Sequence, residues 1–363
     1  MSFRAEDIAK LFSLDGEPMI AVPFGNGHIN DTFFVETSRA RKYILQRVNG
    51  TIFKDMYGLM NNVILVTSHI RQKVAEAGGD PLRECLTVVE SKDGEAFVNI
   101  GKDFWRCYVY IDNAITMQTA ETPELFRAAG EAFGIFQNQL ADFDASKLVE
   151  TIPNFHNTPN RFKNFMKAYE NDSCGLAKNA REEILFVREH ADLCSLLTDK
   201  LESGVLPLRV THNDTKINNV MLDRTNGKPL AVVDLDTVMP GLSAYDFGDS
   251  IRSGATYAAE DEPDIAKVKF ETELFDKYAE GFIGQCASAF SKEEALSLYT
   301  GSVIMTFECG MRFLTDYLEG STYFKIHYPE HNLVRCRTQF ELVKQMLEKK
   351  DELEAIVLKY WQK

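Results

Sequence analysis

Long apolar runs, closely spaced cysteine pairs and an excess of positive charge are all missing from this 363-residue chain. No stretch reaches the roughly 20 apolar residues that a membrane span requires. Met1 to Lys10 (MSFRAEDIAK) lacks the apolar core of a secretion signal, so a cytoplasmic protein without membrane attachment is expected. The seven cysteines are odd in number and have no C-x-x-C spacing, which argues against zinc and dithiol chemistry and for reduced thiols that pack as small hydrophobes. With 40 Lys+Arg against 54 Asp+Glu, the formal charge is −14. That balance offers no basic face to nucleic acid, so any bound polyphosphate needs local cations or a metal. Low-complexity segments and internal repeats are absent too.

What remains is an ordinary globular composition, 45% hydrophobic and 26% charged, in a chain too long for one small core. A short helix is expected over Ala5–Leu14, followed by strands in MIAVPF, DTFFVET, KYILQRV, CLTVVE, AFVNI and FWRCYVYI, with a helix over Met56–Glu76 interrupting them. Turn-prone stretches separate several of these strands, which implies an antiparallel sheet. Beyond Ile111 the periodicity becomes helical over Pro123–Ala141, Asn160–Glu170, Arg181–Leu201, Phe270–Phe282, Lys292–Leu318 and Leu333–Gln362. One hairpin breaks this run, VMLD and LAVVDL around RTNGKP. The expected class is α+β and bilobal, with an N-lobe over 1–112 and a mainly helical C-lobe over 113–363. The last helical face points to packing on its own lobe, so a monomer or a weak homodimer is expected.

Between two apolar runs lies VTHNDTKINNVMLD, which meets the pattern H-x-D-x-x-x-x-N with His212, Asp214 and Asn219. One hairpin later, AVVDLDTVMPG delivers Asp234. A carboxylate to accept a hydroxyl proton, an Asn a few residues on and an Asp after the next hairpin are what phosphoryl transfer through Mg²⁺ requires. Mg²⁺ takes few protein carboxylates and relies on waters and phosphate oxygens, so no dense acidic cage is needed. YDFGDS holds a literal D-F-G, but it follows a loop with Pro240 and Gly241. Asp246 is therefore read as a helix N-cap or loop support, Asp249 as structural, and Asp236 as a solvated strand residue of open role. Asn213 stands where protein kinases carry the Arg of H-R-D, and Asp234 to Asp246 leaves no room for an activation loop. These features suit a constitutively competent kinase for a small molecule.

The phosphate-holding end is sparser. FGNGHIND supplies Gly25, Asn26 and Gly27, whose backbone N–H groups suit phosphates, but it has Asn30 in place of a third glycine. The third strand carries Gln46 where a kinase lysine is expected, leaving Lys42 and Arg47 as the nearby cations. Backbone groups from Tyr108 to Asp112, Tyr110 and Asp112 among them, are positioned by the architecture for adenine.

The H-N-D-x-x-x-x-N loop, VVDLDT and Y-D-F-G-D resemble the aminoglycoside phosphotransferase and choline kinase superfamily. With FGNGHIND, YILQRVN, FQNQLADFDA, DFGDSIRSGA, ECGMRFLTDYLEG and YPEHNLVRCRTQ the resemblance extends over nearly the whole chain and narrows to the N-acetylhexosamine 1-kinase family. It implies a protein-kinase-like fold and ATP- and Mg²⁺-dependent phosphorylation of the anomeric hydroxyl of N-acetylglucosamine or N-acetylgalactosamine. Asp214 would be the base, Asn219 and Asp234 the metal ligands, and His28, Arg312 and Tyr323 would contact the sugar beside Asp214. The family shares the missing strand lysine. A kinase for an aminoglycoside, choline or homoserine is the nearest alternative, and an inactive nucleotide-binding scaffold the other.

Overall fold

The structure is a computed structural model that describes residues 4–25 and 30–362. Its elements run α1 (Ala5–Ala9), β1 (Pro18–Pro23), β2 (Asp31–Thr37), β3 (Lys42–Val48), α2 (Met56–Glu76), β4 (Val88–Val89), β5 (Val98–Ile100), β6 (Asp103–Val109) and β7 (Ala114–Ile115). Then come α3 (Pro123–Gln139), α4 (Thr158–Asn171), α5 (Arg181–Glu189), α6 (Leu196–Glu202), β8 (Arg209–Thr211), β9 (Val220–Asp223) and β10 (Pro229–Val232). The chain ends with α7 (Ser243–Gly254), α8 (Thr272–Cys286), α9 (Lys292–Leu318), α10 (His331–Glu348) and α11 (Lys350–Trp361).

These elements form two compact units. The first takes the chain up to Thr116, and then Asp142–Pro153 and Met221–Pro240; the second takes Met117–Ala141, Asn154–Val220 and the chain from Gly241 onward. The chain passes between the two units several times, and residues 221–240, with most of the β9–β10 hairpin, group with the sheet.

In the first unit the sheet order is β1-β2-β3-β6-β4, with β5 on β6, and every pairing within it is antiparallel. Alternation along β3 buries Tyr43 and Leu45, and β6 adds Trp105 and Cys107 to the same core. The register sets Gln46 opposite Arg106. The hairpin turns on Asp223, whose Oδ1 accepts the Thr225 N–H at 2.8 Å, and on Gly227 with φ +69°. Hydrogen bonds to Thr225 and the Arg83 guanidinium hold the Asp223 carboxyl down at about 2.

The second unit is built on close helix contacts. A Cβ on Gly301 of α9 would strike the Ala244 carbonyl of α7, and one on Gly248 would strike the Gly301 carbonyl. Bare glycines therefore let α7 and α9 approach backbone to backbone, which fixes Asp246 and Asp249 on one helix relative to Glu308 and Arg312 on the other. The start of α9 is set by a capping box between Ser291 and Glu294.

Candidate active site

In the second unit, β8 runs directly into His212 and Asn213, and the backbone there is held by one buried carboxylate. Asp246 accepts the His212 N–H at 2.9 Å, the Asn213 N–H at 2.8 Å and the Gln137 amide at 2.7 Å. Burial raises its pKa, and the His212 ring and these donors pull against that rise. Asp246 is thus the expected loop support, but not an N-cap, since it lies inside α7 and Leu242 precedes that helix. Asp249 continues the brace by accepting the Thr215 N–H at 3.0 Å, and although burial would raise its pKa, Arg252 and Lys216 bring it down. Asn213 carries the strain of the turn at φ +66°, a left-handed conformation that Asn tolerates better than most residues.

This bracing presents Asp214, which is partly exposed while its neighbours are buried. The Asn219 amide donates to the Asp214 carbonyl at 2.8 Å and to Oδ2 at 3.2 Å. Spending its N–H groups there leaves the Asn219 amide oxygen as the atom suited to a cation. Lys216 pairs with Asp214 Oδ1 at 2.9 Å. It was not singled out from the sequence, although H-x-D-x-K in the same loop could have shown it.

Asp234 belongs to the first unit. The strand expected to deliver it ends at Val232, and Asp234 turns at φ +60° into a 3₁₀ turn over Leu235–Thr237. Asp236 therefore does not share a strand face with it and is not solvated. It is buried against Arg106, with Nη1 2.5 Å from Oδ1, and accepts the Asn30 amide at 2.7 Å. Burial would lower the Arg106 pKa, but Asp236, Tyr108 and Asp234 raise it. Gln46 accepts from Arg106 Nε and Nη2 at 3.0 and 2.8 Å, so it is committed to this network. Lys42 pairs with Asp112 at 2.6 Å and Arg47 with Asp31 at 2.7 Å, both at the surface. Arg106, missed in the sequence, is the buried cation nearest the D-L-D turn.

Gly25 has φ +77°, a turn conformation, while Asn26, Gly27 and His28 lie outside the described residues. Tyr110 packs edge-on against Phe34 at 5.3 Å and Phe24 at 6.0 Å, forming a small aromatic cluster beside Gly25 in sequence.

Arg312 and Tyr323 meet in a cavity of ≈ 310 Å³ in the second unit, lined also by Arg161, Asn164, Lys167 and Asp316. Asp316 is spent on structure, accepting the N–H groups of Thr322, Tyr323 and Phe324 and the Asn332 amide. That nest positions the Tyr323 loop. Glu308, one turn before Arg312, is no surface partner for it: Glu308 is buried, 3.1 Å from His156 Nδ1 and 2.7 Å from the Thr158 hydroxyl. His156 Nε2 lies 3.4 Å from the Asn213 carbonyl, so the buried Glu308 is linked through His156 to the loop that carries Asp214.

Residues 20–280 match the model of a phosphotransferase enzyme family, which is well over half of the chain. The chain belongs to that phosphotransferase family. The phosphotransferase is similar to the solved structure of a microcompartment-associated aminopropanol kinase, with 14% identity, a TM-score of 0.60, and coverage of 96% of this chain and 98% of that one. Similarity to an amicoumacin kinase bound to AMP-PNP and Ca²⁺ has 13% identity and a TM-score of 0.56 over 95% and 91% of the two chains. For a Plasmodium vivax ethanolamine kinase the values are 14% and 0.53 over 87% and 81%. The phosphotransferase thus shares the protein-kinase-like fold of aminopropanol, ethanolamine and choline kinases. No helix among the described residues is long and apolar enough to cross a membrane.

Glu308 gives the phosphotransferase a measurable acid dependence. Burial would raise its carboxyl, yet His156, Thr158 and Arg312 hold it below its ordinary 4.5. Because the folded pKa is the lower one, this carboxylate stabilises the fold fully above about 4.5 and loses that contribution as pH falls through the folded value. Glu308→Gln should lower the urea midpoint most near neutral pH, with the gap to wild type closing in acid. A gap that stays constant with pH would show that the charge of Glu308 contributes nothing.

Proposed function

We propose that the protein transfers the γ-phosphoryl group of ATP to the anomeric hydroxyl of an N-acetylhexosamine. The observation that carries this reading is the cavity in which the guanidiniums of Arg161 and Arg312 stand beside Tyr323. Aminopropanol, ethanolamine and choline are cationic, and two guanidiniums disfavour a cation that a carboxylate or an aromatic cage would welcome. A neutral sugar rich in acceptor oxygens suits them.

In this reading Asp214 accepts the anomeric proton, a transfer helped by a hydroxyl that is more acidic than a plain alcohol and by a loose transition state. Lys216 keeps the Asp214 carboxylate oriented and adds positive charge near the transferring group. Asn219 and Asp234 are each proposed as an oxygen ligand to Mg²⁺. Each is an oxygen donor of the kind that ion accepts, a carboxylate in one case and an amide oxygen in the other, and the ion relies on waters and phosphate oxygens for much of its shell. When bound, Mg²⁺ neutralises phosphate charge. Arg106 holds the D-L-D turn through Asp236, and Gly25 with the Phe24 and Tyr110 rings is proposed for the nucleotide, alongside Asn26, Gly27, Gln46 and Asp112. Arg312, Tyr323 and His28 are proposed for the sugar.

The test is ATP consumption with Mg²⁺ and N-acetylglucosamine, N-acetylgalactosamine, kanamycin, choline or ethanolamine, coupled to a reducing-end assay. Consumption with loss of the reducing end of either N-acetyl sugar is expected. Turnover of choline, ethanolamine or kanamycin with both sugars inert would overturn the reading.

A further inference from the structure

We infer that Arg161 is a specificity-determining residue, a single donor that takes the acyl oxygen of the substrate and so selects acylated over free-amine sugars. This rests on the sugar-kinase reading above. Arg161 lies in the first turns of α4, in the wall of the Arg312 cavity. Its Nη2 is committed to the Phe155 carbonyl at 2.9 Å. Its Nε is buried and has no partner. An unpaired buried N–H of a charged group is costly to keep, which makes it a candidate for a group that a ligand satisfies.

The charges around it narrow what that ligand offers. Arg312 is the neighbouring cation, held over the Phe324 ring at 5.6 Å. Burial, and then the Arg312 charge, lower the Arg161 pKa. Asp316 offers neither guanidinium a free acceptor, because its oxygens already accept three backbone N–H groups and the Asn332 amide. Glu308, the carboxylate that acts on Arg161, is engaged by His156 and Thr158. At the exposed rim, Lys167 and Glu319 offset one another. The inner cavity therefore sets two guanidiniums side by side while the carboxylate oxygens of Asp316 and Glu308 are already engaged, which disfavours an ammonium group there.

An acceptor is wanted, and the geometry of Arg161 selects which kind. A carboxylate or phosphate is best held by two parallel N–H groups of one guanidinium. One N–H of Nη2 is spent on Phe155, and Nε is the buried donor left without a partner, a single N–H that matches a carbonyl oxygen. An N-acetyl group carries such an oxygen on a neutral substituent. Glucosamine at neutral pH presents an amine that is largely cationic at the same place.

The experiment compares wild type with Arg161→Met and Arg161→Lys on N-acetylglucosamine, glucosamine and glucuronic acid, with ATP saturating. Wild type should prefer N-acetylglucosamine strongly. Arg161→Met should raise the KM for N-acetylglucosamine about 10- to 100-fold, the loss of one charge-assisted hydrogen bond, with kcat and the KM for ATP within about threefold. It should also improve relative turnover of glucosamine, because a repelling charge has gone. Arg161→Lys keeps the charge and loses the fixed donor, so it should raise the N-acetylglucosamine KM without helping glucosamine; it also serves as the test if the Met variant does not fold. Equal losses on both amino sugars would mean that Arg161 only supports the fold, and an unchanged KM would remove it from recognition. Glucuronic acid outperforming N-acetylglucosamine in wild type would make the pair an anion site instead. Wild type inert on N-acetylhexosamines would sink the sugar reading and this inference together, whereas an active wild type with an indifferent Arg161 would sink this inference alone.

Discussion

Asp214→Asn should reduce kcat by about 10²- to 10⁴-fold while leaving the KM for ATP within about threefold. The substitution keeps the shape of the side chain and removes its ability to take a proton. Wild-type Asp214 has Lys216 on Oδ1 and the Asn219 amide on Oδ2, so it is both a base and the anchor of two loop side chains. An amide can still accept from one of them, and the side chain is partly exposed, so the cost in stability should stay near ~1 kcal/mol or below. A fall in turnover at an unchanged urea midpoint separates chemistry from folding. Turnover within threefold of wild type would remove Asp214 from the proton transfer and leave orientation as its whole contribution.

Much of what surrounds Asp214 could be read from the sequence, because it depends on local signals. The helix over Met56–Glu76 and the 27-residue α9 appear where periodicity puts them. Where the apolar pattern runs on through a break, the sequence misled. Arg181–Leu201 reads as one helix but is α5, a 3₁₀ turn over Ala191–Ser195 and α6, and the last helix divides at Lys349. In both places the apolar residues keep their spacing across the joint, so periodicity alone cannot mark it.

The site residues divide in the same way. The H-x-D-x-x-x-x-N loop and the aspartate after its hairpin are close in sequence, and their pattern was legible. The Arg106, Asp236, Gln46 and Asn30 network was not, because it depends on β3 pairing with β6 in one particular register and on a turn where a strand was expected. A lone arginine in the apolar strand FWRCYVY was the available clue: a buried cation must have a partner, and the unassigned Asp236 was a carboxylate without one. Arg161 gave no such clue. Its meaning appears only when the fold sets α4 beside Arg312.

Asp246 is where the fold and the proposed chemistry depend most on one side chain, and Asp246→Ala should be the most destabilising substitution in the loop. Removing the carboxylate strands the N–H groups of His212 and Asn213 and the amide of Gln137 in a fully buried site. Each unpaired donor costs about 1–3 kcal/mol, so a loss of several kcal/mol is expected, a large part of the stability of a typical domain. Relief from burying a carboxylate whose pKa is already raised offsets part of that loss. Asn213 is also held at φ +66°, and without Asp246 the strain favours a relaxed loop with Asp214 displaced. Folded Asp246→Ala protein should therefore lose kcat by at least the factor expected of Asp214→Asn. Asp246→Asn should recover less than half of the stability, since its amide oxygen can serve one or two donors while its NH₂ faces the rest. Urea midpoints with kcat measured at saturating ATP separate the two effects. A folded Asp246→Ala protein with wild-type turnover would show that the close packing of α7 on α9 alone holds the loop in place.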